Sequence, residues 1–133
     1  RVSTDTTDLL VRVSQAAAFK VDNSYYNHAV VSSSAAATYV GANEAGSNGW
    51  RMAYNFSSDA DHSYSGQFWL PNPSGATMLQ KCWWDGSYVA AGDEAIYNAG
   101  GGYYNVAGAV DGIQFRGGSG TLTSGTISMF GVS

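Results

Sequence analysis

Apolar and polar side chains alternate along most of this chain. Leu9, Val11 and Val13 alternate with Leu10, Arg12 and Ser14, and Trp50, Met52, Tyr54 and Phe56 with Arg51, Ala53 and Asn55. Gly66, Phe68 and Leu70 oppose Gln67 and Trp69; Ile113 and Phe115 oppose Gln114 and Arg116; Ile127 and Met129 oppose Thr126 and Ser128. Tyr25 to Val31 is aromatic and β-branched, and Met78 to Trp84 is a further strand-like run. A period of two places successive side chains on opposite faces, so each run predicts a strand with one face turned inward. Turn clusters separate them: Asp22-Asn23-Ser24, Gly46-Ser47-Asn48-Gly49, Ser57 to Asp61, Pro71 to Gly75, Asp85-Gly86, Gly100-Gly101-Gly102 and Gly117 to Gly120.

Two stretches invite a helix, Ser14 to Phe19 and Ser32 to Thr38, each with three alanines. Neither combines a cap with a 3.6-residue period, and both are predicted as loop with at most one helical turn. About eight strands and no helix predict an all-β fold, an antiparallel β-sandwich or jelly roll. No linker interrupts the pattern, so residues 1–133 read as a single domain. The chain starts at Arg1 and not at a methionine, so it is expected to be the C-terminal part of a longer chain. Near the other end the alternation of Ile127-Ser128-Met129-Phe130 runs almost to the last residue. A bare apolar strand edge aggregates, so this final strand is predicted to pair within a sheet.

Composition narrows the setting. Charged residues are 12% of the chain, against about 25% in an ordinary soluble domain. Ser, Thr, Asn, Gly and Tyr must finish the surface, as in secreted, extracellular or virion-surface proteins. A net charge of −4 with six Lys and Arg supplies no basic patch for phosphate, which argues against a nucleic-acid partner. No segment is apolar enough to span a bilayer, and no signal-peptide pattern is present. Cys82 is the single cysteine, so no intrachain disulfide forms, and a small thiol within a strand is expected to be buried.

Patterns for catalysis are weak. Gly117-Gly118-Ser119-Gly120 runs into Thr121 and lacks the strand-to-helix context of a hydrolase elbow. Phosphate-binding glycine motifs are missing. His28 sits mid-strand. His62 follows Asp59-Ala60-Asp61, but a metal would need further ligands from elsewhere, and a solvated turn is the expectation. Asp85, Asp93, Glu94 and Asp111 are the carboxylates that could flank a sugar, yet their spacing does not pair them. The chain is therefore expected to be no enzyme, with no cofactor and no metal.

The aromatics carry more information. Four Trp and nine Tyr exceed what a core of this size can use. Adjacent aromatics on a strand must face opposite sides, so at Trp83-Trp84 one ring fills the core and the other lies outside. Trp69, Trp83, Trp84, Tyr88, Tyr103 and Tyr104, with Tyr97 beside them, are the candidate contact residues for a neighbouring subunit or a sugar ring.

Leu70-Pro71-Asn72-Pro73-Ser74-Gly75-Ala76-Thr77, followed by Lys81, Trp83, Gly86 and Tyr88, is similar to the NPSG-T-x-K-x-x-W-x-G-x-Y block of a structural-protein family of tailed phages and prophages. Val110 to Phe115, Gly118-Ser119-Gly120 and Ser124 to Val132 resemble its terminal signature, and Asp5 to Arg12 resembles its ATDG-x-x-LLLR segment. Members usually carry one more strand before this point. Gly120-Thr121-Leu122-Thr123 replaces GNIA here, and Ser128 and Met129 stand where Arg and Leu are usual. The resemblance implies a β-sandwich on the virion surface, a module of a fibre, tail or head-decoration protein. Its implied partners are other copies of itself and other virion proteins, with host surface glycan as the alternative. It implies no catalytic residues.

Overall fold

The computed structural model describes residues 3, 6–34 and 39–131, with 39–44 described by backbone alone. Nine strands occur among them: β1 (Thr7–Gln15), β2 (Ala18–Phe19), β3 (Tyr25–Ser33), β4 (Tyr39–Ser47), β5 (Trp50–Phe56), β6 (Tyr64–Trp69), β7 (Leu79–Val89), β8 (Ala95–Ala107) and β9 (Gly112–Gly117). No helix is present among the described residues. All pairings are antiparallel, and the fold is the all-β sandwich that the alternation predicts.

The larger sheet runs β4-β3-β8-β7-β6. The smaller one is built on β1. Leu9, Leu10 and Val11 pair with both β5 and β9, so these strands occupy opposite edges of β1. Ser14 likewise pairs with β2 and β9, which sets β2 end to end with β5 along one edge. A gap at Val13 is left between them. The Tyr25 hydroxyl, reaching across from the larger sheet, fills it: it accepts from the Val13 amide and donates to the Lys20 carbonyl, both at 3.1 Å.

Trp50, Trp84, Tyr25, Tyr104, Phe56, Val11 and Val13 are the largest fully buried apolar side chains between the sheets. Tyr25 meets Trp50 edge-on at 5.2 Å and Tyr104 at 4.7 Å. Two more polar ties cross the core. The Tyr88 hydroxyl accepts from the Tyr54 amide at 3.0 Å, and the buried Asn98 carboxamide donates to the Met52 carbonyl. Buried polar groups must be paired, so these contacts fix how the two layers register. Burial pushes the Tyr25 and Tyr88 phenols up to about 12 and raises the buried Cys82 thiol well above its ordinary value. Cys82 is the interior residue its context predicts.

The structure departs from the sequence expectations at three places along the strands and turns. The first alanine stretch is a two-residue hairpin: Ala16 and Ala17 join β1 to the short β2 with φ of 54° and 59°. That conformation is the primed turn that matches strand twist. Residues 35–38 of the second alanine stretch lie outside the described residues. Along β5 the alternation slips, because register shifts between β1 and β5 insert extra residues. Ala53 therefore faces the core beside Trp50, Met52 and Phe56, while the half-buried Tyr54 carries the Arg51 guanidinium 4.7 Å above its ring. Finally, Thr126 to Phe130 forms no strand. Ile127, Met129 and Phe130 are exposed, the latter two at 84%, so the predicted pairing of this segment within the sandwich does not occur.

Candidate functional site

Strand parity divides the aromatics of the larger sheet. On β7, Gln80, Cys82, Trp84 and Tyr88 point inward and are buried, while Leu79, Lys81, Trp83 and Ser87 are exposed. On β8, Ile96, Asn98 and Tyr104 are buried, while Tyr97 and Tyr103 are exposed. On β3, Tyr25, Asn27 and Ala29 are buried, while His28 and Val30 are exposed.

Pairing registers then place the outward residues in rows. Trp69, Trp83, Gly101 and His28 form one row across β6, β7, β8 and β3. Lys81, Tyr103 and Tyr26 form the next, and Gln67, Asp85, Ala99 and Val30 lie on the opposite side. Cross-strand neighbours stand about 5 Å apart, so their rings touch. Trp69 and Trp83 stack with centroids at 6.1 Å and planes 18° apart, and Tyr26 and Tyr103 stack at 5.0 Å and 3°. Trp83 is 48% exposed and Trp69 41%. On its other flank Trp83 has only Gly101 in register, so one edge of its indole is not covered by a cross-strand side chain.

Of the six candidate contact residues, the structure brings Trp69, Trp83 and Tyr103 together on this outer face. Trp84, Tyr88 and Tyr104 are corrected to core residues, between 1% and 4% exposed. Their parity is even where that of Trp83 and Tyr103 is odd. Glycines on the inner side of β8 make room for them. A Cβ at Gly100 would lie 2.5 Å from the Trp84 ring, and one at Gly102 would strike the Tyr26 carbonyl and approach Trp50 at 2.8 Å. The run Gly100-Gly101-Gly102 is thus mid-strand, not a turn; it is the floor on which two core tryptophans lie. Likewise Asp85-Gly86 is within β7, where Gly86 accommodates the Tyr64 hydroxyl.

Tyr26, His28, Val30, Lys81, Asp85 and Gln67 also belong to this face and were not among the contact residues expected from the sequence. Lys81 and Asp85 share the parity of Trp83, which is a readable signal. The contribution of β3 depends on its pairing with β8, which no local pattern encodes.

The residues of the resembling blocks have mostly scaffold roles. The Asn72 to Gly75 turn closes with a 3.0 Å bond from the Gly75 amide to the Asn72 carbonyl. Buried Gln80 donates from Nε2 to the carbonyls of Gly75 and Gly108, each at 2.8 Å. The Val110 amide donates to the Pro73 carbonyl at 2.7 Å. This loop is locked to the β8–β9 connection.

The four carboxylates considered for sugar cleavage are dispersed. Asp85 is on the outer sheet face, and Asp111 accepts from the Ala17 amide at 2.7 Å. Asp93 and Glu94 are neighbours in the turn between β7 and β8, where Glu94 accepts from the Ser33 hydroxyl at 3.0 Å. The Asp-rich loop around His62 is only partly solvated. Asp59 and Asp61 are exposed as expected, but His62 is buried, and Asp93 stands 3.3 Å from its Nε2.

No protein-family model, no curated protein and no solved structure matches this chain significantly.

Proposed function

We propose that this chain is a non-enzymatic virion-surface module of a tailed phage, a fibre or head-decoration domain, that works by contact. The observation that carries this reading is the outer face of the larger sheet. Trp69, Trp83, Tyr103 and Tyr97 are exposed there on a charge-poor protein, with Val30 among them. Scattered apolar residues need no explanation, but a stacked aromatic face is the kind of surface that neighbouring proteins cover. The partners are other copies of the chain and other virion proteins. The assignment to a virion rests on the blocks around Asn72 to Tyr88 and Val110 to Val132.

The segment after β9 supports the same reading. Ile127 and Met129 alternate with Thr126 and Ser128 in a strand pattern, yet this segment forms no strand among the described residues. Pairing with a strand of another subunit would cover its exposed apolar side chains. Light scattering after size-exclusion chromatography tests the proposal. Wild type is expected to associate, and the Trp69→Ala/Trp83→Ala double variant to be monomeric with a similar unfolding midpoint. A wild type that is monomeric and does not bind its particle contradicts it.

A second reading is a carbohydrate-binding receptor-recognition module for host surface glycan. It is favoured by the flank of Trp83 beside Gly101, with Lys81, Asp85, Gln67 and His28 on the same face. An indole takes the C–H face of a sugar while polar neighbours bond its hydroxyls. A glycan array separates the two: a hit lost in Trp83→Ala favours the lectin, whereas no hit together with particle association favours the architectural role.

A further inference from the structure

At the end of the sandwich where β5 leaves the smaller sheet, two connections meet. The Phe56–Ala90 bridge and the bond from the Ala91 amide to the Asn55 carbonyl, at 3.0 Å, bring the β7–β8 turn against the β5–β6 loop. Asp59 and His62 come from the loop and Asp93 from the turn. Each offers one ligand atom, and these atoms lie within 4.8 Å of one another. The imidazole Nε2 is 3.3 Å from an Asp93 carboxylate oxygen and 3.9 Å from one of Asp61; Nδ1 is 3.9 Å from an Asp59 oxygen.

His62 is only 9% exposed, and its Nδ1 is buried with no hydrogen-bond partner. An unpaired buried ring nitrogen is unfavourable, and here it faces a carboxylate across a gap too long for a hydrogen bond. Solvent-exposed Asp59 and Asp93 frame the same ring. We infer that Asp59, His62 and Asp93 hold a divalent transition-metal cation of the Zn²⁺ type, with water completing its coordination.

The donor set decides the class. One imidazole with carboxylates suits Zn²⁺ and its first-row neighbours, whereas Ca²⁺ and Mg²⁺ prefer oxygen alone. Bond lengths of about 2.0–2.2 Å place two ligands of one ion about 3–4 Å apart. Closing the set from within 4.8 Å therefore asks for side-chain movements of about 1–2 Å, which exposed aspartates can make. One ring nitrogen takes the ion and the other is left to a carboxylate or water, the outer-shell contact that orients metal-bound histidines. Bound there, the ion staples the β5–β6 loop to the β7–β8 turn and offsets negative charge in a chain of net −4.

Equilibrium dialysis against Zn²⁺, paired with thermal unfolding in Zn²⁺, Mg²⁺, Ca²⁺ or chelator, tests the site. One Zn²⁺ retained per chain is expected, with a raised unfolding midpoint in Zn²⁺ only. Asp93→Asn removes an exposed carboxylate and should weaken binding by about tenfold or more while leaving the midpoint in chelator unchanged. His62→Gln should lose the Zn²⁺ response as well. No retained Zn²⁺, equal stabilisation by Mg²⁺ and Ca²⁺, or wild-type affinity in Asp93→Asn would each overturn the assignment.

Discussion

Trp83 and Trp84 are neighbours in the chain and occupy opposite sides of the larger sheet. Trp83 stacks on Trp69 outside, 48% exposed, while Trp84 lies 1% exposed over Gly100 in the core. Their substitutions should therefore separate stability from contact. Trp84→Ala is expected to cost about 3–5 kcal/mol by leaving a large cavity. Trp83→Ala should cost no more than about 1 kcal/mol, the worth of one exposed aromatic pair. Denaturant unfolding of both variants checks this; equal losses would mean that the outer face is covered within the fold.

The glycines beneath the core tryptophans carry a second expectation. Gly102→Ala forces a Cβ against the Tyr26 carbonyl, and backbone cannot yield as a flexible side chain does. A loss of about 1–3 kcal/mol or more is expected, as for other overpacked cores. At Gly101, which faces outward, the added Cβ lies 3.1 Å from the Cys82 carbonyl and 3.8 Å from the Trp83 Cβ. Gly101→Ala should be the milder change in a thermal melt, and it should narrow the flank of Trp83.

The β1–β2 hairpin holds alanine at two left-handed positions. Such a conformation costs a residue with a Cβ roughly 1 kcal/mol, whereas Asn-Gly is the preferred pair for this turn. Ala16→Asn/Ala17→Gly should raise stability by about 1 kcal/mol while preserving the bond from the amide of residue 17 to Asp111. Unfolding in urea checks the sign; a destabilised variant would show that this turn is not held in the primed conformation.

Alkaline sensitivity follows from the core phenols. Tyr25 and Tyr88 titrate near 10 when unfolded and at about 12 when folded, chiefly because burial disfavours the phenolate. The folded state thus holds protons that the unfolded state has lost, so their contribution is complete below about pH 10 and declines as pH rises towards 12. Stability measured from pH 8 to 11.5 should fall over the upper part of that range. Tyr88→Phe should flatten the fall while removing the hydroxyl that accepts from the Tyr54 amide.

Much of this was legible in the sequence because side-chain parity in a strand is strict. Leu9, Val11 and Val13 face the core as their spacing requires, and the choice between Trp83 and Trp84 needed only the parity of Cys82. Parity fails where the register shifts. Tyr54 left the inward set because the β1–β5 ladder inserts extra residues, and no local pattern announces a bulge. Gly100 to Gly102 looked like a turn because glycine usually marks one; here it marks close approach by Trp84 and Trp50. The terminal segment carried a strand pattern, yet Thr126 to Phe130 pairs with no strand of this sandwich. His62 and Asp93, separated by thirty-one positions, meet only because β5 and the β7–β8 turn are bridged.

Hydroxyl-radical footprinting of the isolated chain and of the phage particle proposed to carry it tests the proposed contact face most directly. Trp69 and Trp83 should be oxidised readily in the isolated chain and protected in the particle, with Trp50 and Trp84 protected in both. Equal oxidation of Trp69 and Trp83 in the two states would contradict the account.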